Sequence, residues 1–463
     1  MAEDNADTVS TDETTIDRIR SAPGETLFIE AGAGTGKTWA LVERVVSLVR
    51  GGIPIEGIVA ITFTEKAAAE LRERIRRGLE DCLRDYPEHE PAISAALMSL
   101  DRAQISTIHS FCQGLLHSFA AEAGVDPSFE IQDEVMSERR FQERWREYLN
   151  SLSDDPVAAA VIDRVLGLGL FPSDLETLAK DLTARADLLS VLQSQLPVTT
   201  APSWPGLERA EVELGAIVTT RVPVEDGLLR KIEELRALVH DMISRPEERE
   251  PIMAGAAPTF GRMTFGRAGN AANWGGAATT KAVRETGESA RDALNGLLQA
   301  CRAEALRDLM PLIISFVDND ARTRGREGLM TFDDLILRVR NLLRGDPGAA
   351  QSLRSRYAVL LIDEFQDTDP LQVDIARAFA TDPDSGVIED GRLFLVGDPK
   401  QSIYRFRHAD MAIYSRTREA IESAGGGVLP LQRNRRSRLV ILDWVNRVFE
   451  VLISHEGQRS IQP

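Results

Sequence analysis

Ala31-Gly32-Ala33-Gly34-Thr35-Gly36-Lys37-Thr38 has the residue types and spacing to hold a phosphate. Its small residues let backbone N–H groups converge on phosphate oxygens. A helix that starts at Lys37 points its positive end at the same anion. Lys37 can then reach β- and γ-phosphates, and Thr38 can ligate Mg²⁺. The strict pattern has Gly where Ala31 sits, so the match is to a slightly relaxed form. The competing reading is a glycine-rich turn that binds nothing, and the flanks speak against it. Thr26 to Ile29 is a short apolar run of strand type, and Leu41, Val42, Val45, Leu48 and Val49 follow at helical spacing up to Gly51-Gly52.

A second group of residues supplies what a phosphate loop lacks. Val359-Leu360-Leu361-Ile362-Asp363-Glu364 is an apolar strand that ends in two acids. Downstream of a phosphate loop, Asp363 is placed to hold the Mg²⁺ shared with Thr38, and Glu364 to orient or deprotonate an attacking water. Gln401 can hydrogen-bond a γ-phosphate or that water. Tyr404 and Phe406 alternate with Arg405 and Arg407, an interleaving suited to base stacking and phosphate contacts on single-stranded nucleic acid. Arg435 and Arg436 can be surface ion-pair partners, or one can meet the γ-phosphate across a cleft.

The elements that must position these groups read as an α/β protein with a helical interruption. Ile58 to Phe63 and Ala103 to Thr107 are further buried-strand candidates, each running into a helix. Thr64 can cap the first of those helices, although Thr62 or Thr64 can equally face a ligand. Glu70 and Arg74, four apart, read as a solvated helix face. Alternating strands and helices predict a parallel sheet with helices on both faces. From about 120 to 330 the pattern is almost wholly helical, with stripes such as Phe141, Trp145, Leu149 and Leu228, Ile232, Leu235, Val239. Residues 197–205 read as a connector and 254–280 as a long Gly/Ala-rich loop. Strand patterns resume at Tyr357 and at Leu393, and a helix around Leu439 to Phe449 follows.

Composition sets bounds. A chain of 463 residues exceeds one core, so two to four domains are expected. The net charge of −18 argues against a generally basic nucleic-acid coat and leaves room for a local basic groove. Cys82, Cys112 and Cys301 lie far apart, which suggests reduced thiols and no disulfide frame, zinc site or iron–sulfur cluster. The acidic, polar start is wrong for a signal peptide, and no apolar run approaches a membrane span. A soluble cytoplasmic protein with no membrane partner is expected.

Six motifs together resemble superfamily 1 DNA helicases of the UvrD/Rep type, and more closely the RecB/AddA branch. They are Ala31 to Thr38, Thr62-Phe63-Thr64-Glu65-Lys66-Ala67-Ala68, Ser106 to Phe111, Ile362-Asp363-Glu364-Phe365-Gln366-Asp367-Thr368, Gly397 to Arg407, and Asn434-Arg435-Arg436-Ser437. Thr331 to Leu335 adds to the RecB/AddA style. The resemblance implies a RecA-like P-loop NTPase sheet with a large helical insertion. Residues 1–14 would be a disordered acidic tail, 15–120 and 331–430 the two parts of lobe 1A, 121–330 an inserted helical domain 1B, and 431–463 the start of a second lobe, 2A.

By the same resemblance the activity is ATP-driven 3′ to 5′ translocation on single-stranded DNA, with ATP and Mg²⁺ as cofactors. DNA, single-stranded or duplex, is the expected partner, with a RecC/AddB-like or nuclease subunit beside it. Ala31 to Thr38 and Arg435 would hold the nucleotide, and Thr38 and Asp363 the Mg²⁺. Glu364 would be the catalytic base, Asp363 its neighbour on the metal, Gln401 the γ-phosphate sensor and Arg436 an arginine contact to that phosphate. Phe63, Thr64, Thr107, His109, Tyr404, Phe406 and Arg407 would line the DNA track. Two departures stand out. No Gln lies between Met1 and Thr38, where the family's adenine-reading Gln falls near Ile16, and the family's aromatic before the motif-IV arginine is Arg435. The later motor motifs, a 2B region and a nuclease domain are absent from this sequence. It therefore reads as an N-terminal fragment or truncated product, expected to bind ATP and by itself to hydrolyse it poorly. The alternative is a non-catalytic, ATP-gated DNA-binding or assembly module that works with a partner chain.

Overall fold

The computed structural model describes residues 2–195, 202–219, 222–223, 225–383, 385–403 and 411–455. They form two compact units. One holds the described residues up to Ile131 and from Gly328 onward, and the other holds Gln132–Glu327.

In chain order the first unit begins with α1 (Ala2–Ser21), β1 (Leu27–Ala31), α2 (Lys37–Arg50), β2 (Ile58–Thr62), α3 (Glu65–Asp85), α4 (Glu90–Ser99), β3 (Gln104–Thr107), α5 (Ile108–Ser118) and β4 (Glu130–Ile131). The second unit carries α6 (Glu134–Leu152), α7 (Pro156–Gly167), α8 (Pro172–Ala184), α9 (Leu189–Gln195), α10 (Pro205–Val218), α11 (Gly227–Ser244), α12 (Arg249–Phe260) and α13 (Ala277–Arg326). The first unit resumes with β5 (Leu329–Met330), α14 (Phe332–Gly345), α15 (Pro347–Arg356), β6 (Val359–Ile362), α16 (Pro370–Ala380), β7 (Leu393–Gly397), α17 (Met411–Ser423), β8 (Gly427–Leu431) and α18 (Leu439–His455).

Six strands pair in parallel in the order β3-β2-β6-β7-β1-β8. The side-chain period of two sorts each strand between two cores. Leu27, Ile29, Ile58, Ala60, Leu361, Phe394 and Val396 pack against α2, α3 and α4. Phe28, Val59, Ile61, Leu360, Ile362 and Leu395 pack on the opposite face with residues of α5, α14, α16 and α17. Burial on both faces is why these strands read as continuous apolar runs. Each large apolar side chain buried in this way contributes about 1.5–3 kcal/mol. This is the expected α/β class, with all nucleotide-competent loops gathered at the carboxyl ends of the strands.

Helix starts follow their caps. Thr64 accepts from the Ala67 N–H, and Thr331 and Asp334 form a reciprocal capping box on α14. The short β4–β5 pair joins Glu130 to Leu329 and Ile131 to Met330, where the chain leaves the first unit and returns to it. The boundary therefore falls at 131/132 and 327/328, where the sequence reading sets the helical domain at 121–330.

Two expectations are corrected, and one strand was not foreseen. Residues 2–14, expected in a disordered tail, lie in α1, which spans Ala2–Ser21. The buried Asp12 carboxylate accepts the N–H groups of Gln432 (2.8 Å) and Arg433 (3.1 Å), and Thr15 donates to the Pro430 carbonyl. β8 is absent from the sequence reading, since three glycines and Pro430 mask it. As an edge strand it tolerates a proline whose N–H side is unpaired. The Gly/Ala-rich 254–280 stretch is helical up to Phe260, because Met253 and Phe260 are buried in the second unit's core. Asp226 caps α11 and ties down the following loop, accepting from Asn270 N (3.1 Å) and Asn273 Nδ2 (2.9 Å). No single helix among the described residues is long and apolar enough to cross a membrane.

Candidate nucleotide site

β1 delivers the chain into a loop whose shape depends on glycine. Gly34 and Gly36 have φ of +78° and +115°, in the left-handed region. A Cβ on Gly34 would also lie 2.8 Å from Asn434 Nδ2 and 2.9 Å from Arg436 Cβ, so side-chain volume is excluded there twice over. Thr35 folds back, its hydroxyl donating to the Gly32 carbonyl at 2.9 Å. α2 starts at Lys37, so its unpaired N–H groups face the loop's concavity.

Asn434 clasps the loop from the far end of the chain. Its Nδ2 donates to the Ala33 carbonyl (2.8 Å), and the Arg435 N–H donates to the Gly34 carbonyl (2.8 Å). Its Oδ1 accepts from the N–H groups of Arg436 and Ser437. Arg435 and Arg436 are thereby brought to the loop, and they line one pocket with Gly32, Gly34, Gly36, Lys37, Thr38, Trp39, Arg74 and Glu364. Ala31, the last residue of β1, is buried beneath it, and Ala33 touches the clasp.

The acids arrive from β6. Asp363 extends the ladder, its N–H donating to the Ile61 carbonyl. Glu364 then takes φ +50°, the one positive value among described non-glycine residues. Such backbone strain costs on the order of 1–3 kcal/mol and persists where surroundings over-determine it. Here the Glu364 N–H donates to Asp363 Oδ1 and its carboxylate is held on two sides. Lys37 Nζ donates to Glu364 Oε2, and Gln366 Nε2 donates to the same oxygen at 2.8 Å. Lys37 Nζ also reaches Gln401 Oε1 at 3.3 Å. Lys37, Glu364 and Gln401 thus meet from three distant stretches of sequence. Burial, reinforced by the charge of Glu364, pushes the Asp363 carboxyl up to about 6, against the opposing pull of Lys37 and Arg74.

Oxygen donors from Thr38 and Asp363 suit a hard cation whose remaining ligands are phosphates and water. The raised Asp363 marks a carboxyl pair that gains from a positive charge beside it, so these residues fit Mg²⁺. Among the described residues no cluster of three or more His, Cys, Asp or Glu offers an alternative metal site.

The expected DNA-facing residues divide. Phe63 stands at the end of β2, 37% exposed. The His109 ring meets Phe332 edge-on, with centroids 5.3 Å apart, and Phe332 is half exposed. Thr64 and Thr107 are engaged internally. Thr64 caps α3, while the buried Thr107 hydroxyl donates to Glu65 Oε1 (2.7 Å) and accepts from the Ser110 N–H. Hydrogen bonds from Ser110 and Thr107 hold the Glu65 carboxyl below its usual range. Thr62 donates to the Thr64 carbonyl at 3.1 Å. Tyr404, Phe406 and Arg407 lie outside the described residues.

Sequence reasoning missed four residues. Arg74, read as helix surface, pairs with Glu70 only at 3.8 Å and lines the nucleotide pocket. Its spacing from Phe63, one strand end and three helical turns away, is the signal that was there. Trp39 lies between cations, with Arg20 and Arg435 at 5.4 and 5.7 Å from its ring centroid. Gln366 and Asp398 tie the acids to the β7 end; both stand inside the six motifs, but nothing local tells that they bond to each other.

A parallel sheet with a glycine loop before α2, an acid pair after β6 and a glutamine after β7 defines a RecA-like P-loop nucleotide-binding protein. The sequence model of the UvrD/REP helicase N-terminal domain matches residues 13–422, and the chain belongs to that family. It is 27% identical to an ATP-dependent helicase/nuclease subunit from Syntrophomonas wolfei, over 94% of this chain and 38% of that protein. It is 29% identical to the protein of the same name from Moorella thermoacetica, over 92% of this chain and 34% of the relative. Against the RecBCD enzyme subunit RecB of Escherichia coli K12 the identity is 30%, over 94% of this chain and 39% of RecB. The chain thus spans between a third and two-fifths of the length of these relatives.

Proposed function

We propose that this chain is the ATP-binding motor core of a DNA helicase that moves 3′ to 5′ along single-stranded DNA in recombination or repair. The observation that carries the reading is the meeting of Lys37, Glu364 and Gln401 at the carboxyl ends of β1, β6 and β7. Lys37, the loop N–H groups, Arg74, Arg435 and Arg436 would hold the triphosphate. Glu364 would orient and deprotonate the attacking water, with Gln401 sensing the γ-phosphate. Thr38 and Asp363 would hold Mg²⁺, which supplies charge neutralisation on the phosphates when bound. Phe63, Thr64, Thr107, His109, Tyr404, Phe406 and Arg407 would line the DNA track, Thr64 and Thr107 from helix-cap positions. The names of the relatives support a helicase–nuclease assembly, with a second subunit of the RecC/AddB kind as partner.

A DNA-stimulated ATPase assay tests the reading. Turnover that disappears in Lys37→Ala supports the motor. Intact ATP binding without turnover at any DNA concentration favours the non-catalytic, ATP-gated module instead. For the track, Phe406→Ala is expected to weaken single-strand binding by about 1–3 kcal/mol through lost base stacking. Unchanged anisotropy titrations with the fold intact remove Phe406 from the track.

The metal assignment carries a pH signature. Asp363 must lose its proton before it can ligate a cation, and its carboxyl is pushed up to about 6. Mg²⁺-dependent tightening of nucleotide binding should therefore be flat above that value and fall by about tenfold per pH unit below it. Titrations of nucleotide with Mg²⁺ and with EDTA across this range give the measurement. A metal contribution that ignores pH takes Asp363 out of the ligand set.

A further inference from the structure

Gln366 is 2% exposed, and every polar atom it carries toward the site is used. Its Nε2 donates to Glu364 Oε2 at 2.8 Å and lies 3.3 Å from Asp367 Oδ2. Its Oε1 accepts the Asp398 main-chain N–H at 2.8 Å, and its own carbonyl accepts from the Ser402 hydroxyl at 3.2 Å. The end of β7 presses close, since a Cβ on Gly397 would lie 3.0 Å from Gln366 Oε1. Gln401 Nε2 in turn donates to Asp398 Oδ2 at 2.6 Å, and Lys37 Nζ reaches Gln401 Oε1. Together with the Lys37–Glu364 contact these bonds close a ring: Lys37, Glu364, Gln366, Asp398, Gln401 and back to Lys37.

Each polar group in such a ring satisfies the next, and the loss of one bond weakens its neighbours. Lys37 is the member that must leave when it turns to a phosphate. Glu364 then keeps Gln366 as its remaining fixed partner. Any shift of the carboxylate is felt by a buried amide that bonds Glu364 through its nitrogen and the Asp398 N–H through its oxygen. That amide grips the 398–402 segment through the Asp398 N–H, beside the bond from the Ser402 hydroxyl to the Gln366 main-chain carbonyl. The same segment carries Gln401 and leads in sequence directly into Tyr404 to Arg407.

The geometry assigns Gln366 as the positioning residue that couples occupancy of the phosphate site to residues 398–402, and so couples nucleotide affinity to single-stranded DNA affinity. This rests on the motor reading above. Gln366 touches neither ligand and acts through Glu364 and Asp398. Coupling of this kind is reciprocal, so it can be read from DNA binding alone.

The test uses the full chain and an oligothymidylate, titrated with and without a non-hydrolysable ATP analogue and Mg²⁺. In the unaltered protein the analogue should change DNA affinity by a factor in the usual range of about 5–150. Gln366→Leu removes both ends of the bridge. Gln366→Glu keeps the shape and the acceptor for the Asp398 N–H, but sets a carboxylate against Glu364 where the donor was. In both variants the coupling factor should fall to within about twofold of one, whatever shift each shows in its affinity for analogue alone or for DNA alone. Retained coupling in either folded variant overturns the inference. A parent that binds both ligands without coupling overturns it too and leaves the nucleotide site standing. A parent that binds no DNA sinks the motor reading itself, and the inference with it. Should both variants fail to fold, hydrogen exchange at the Asp398 amide of the parent decides: protection unaltered by the analogue overturns the coupling.

Discussion

Glu364→Gln should slow ATP hydrolysis by about 10²–10⁴-fold, the usual contribution of a general base, while ATP binds at least as tightly as before. The two halves of this expectation have separate causes. Glu364 sits at a strand end with its backbone locked at φ +50° and its carboxylate fixed by Gln366. Gln fits the same space, so the loop and Asp363 stay in place, but an amide cannot take a proton from water. Binding behaves differently, because Lys37 directs its charge at Glu364. A nucleotide must displace that carboxylate to engage the lysine. Replacing the charge by a neutral amide weakens the competitor, and hydrogen bonds to charged groups are the stronger ones. The same change removes a negative neighbour from Asp363 and so makes that carboxyl easier to ionise for a cation. Single-turnover hydrolysis with saturating single-stranded DNA, beside equilibrium titration of a fluorescent ATP analogue, measures both. If affinity drops together with rate, Glu364 is a binding residue and the base lies elsewhere. Undiminished hydrolysis leads to the same conclusion.

What the sequence made legible here follows from the range of the interactions. The loop, the strand before it and the amphipathic helix after it are local, and periodicity alone places them. The acid pair was readable because a buried parallel strand is a continuous apolar run, and the first charges after it mark its exposed end. Longer-range contacts were not readable. Asn434 could be seen in the last motif, but not that its amide would hold the Ala33 carbonyl 401 residues away. Asp12 looked like part of an acidic tail because composition counts charges and not partners, whereas its carboxylate satisfies two N–H groups beyond β8. Arg74 looked like surface for the same reason. Thr64 and Thr107 carry a second role that the motif reading did not weigh equally. A hydroxyl at a strand end suits a ligand and a helix cap equally well, and in both cases it caps the helix that follows.

Arg44 is the other residue whose replacement should have a large effect, and nothing in its local sequence sets it apart. It lies on α2, C-terminal to Lys37, with no exposed surface at all. Its Nη1 donates to the Ala22 carbonyl at 2.7 Å, and its Nη2 to the carbonyls of Pro23 (3.0 Å) and Glu25. The guanidinium also lies 5.4 Å from the Phe394 ring centroid. Burial draws its pKa down to about 10, partly offset by Glu25, so it stays charged at neutral pH. The turn it gathers, residues 22–25, leads straight into β1 and so sets where the phosphate loop begins. Arg44→Ala leaves three carbonyls without their donor and opens a cavity beside Phe394. Unsatisfied groups cost about 1–3 kcal/mol each when water cannot reach them, but this turn is partly exposed, so a total loss of about 3 kcal/mol is expected. Arg44→Met separates the contributions. It fills the volume and removes the desolvated charge, which by itself favours stability, so it should lose about half as much. Urea unfolding with an unchanged slope measures both variants. A Met variant as stable as the parent would mean that the three hydrogen bonds do no more than offset the cost of burying the charge, and that α2 holds the turn by packing alone.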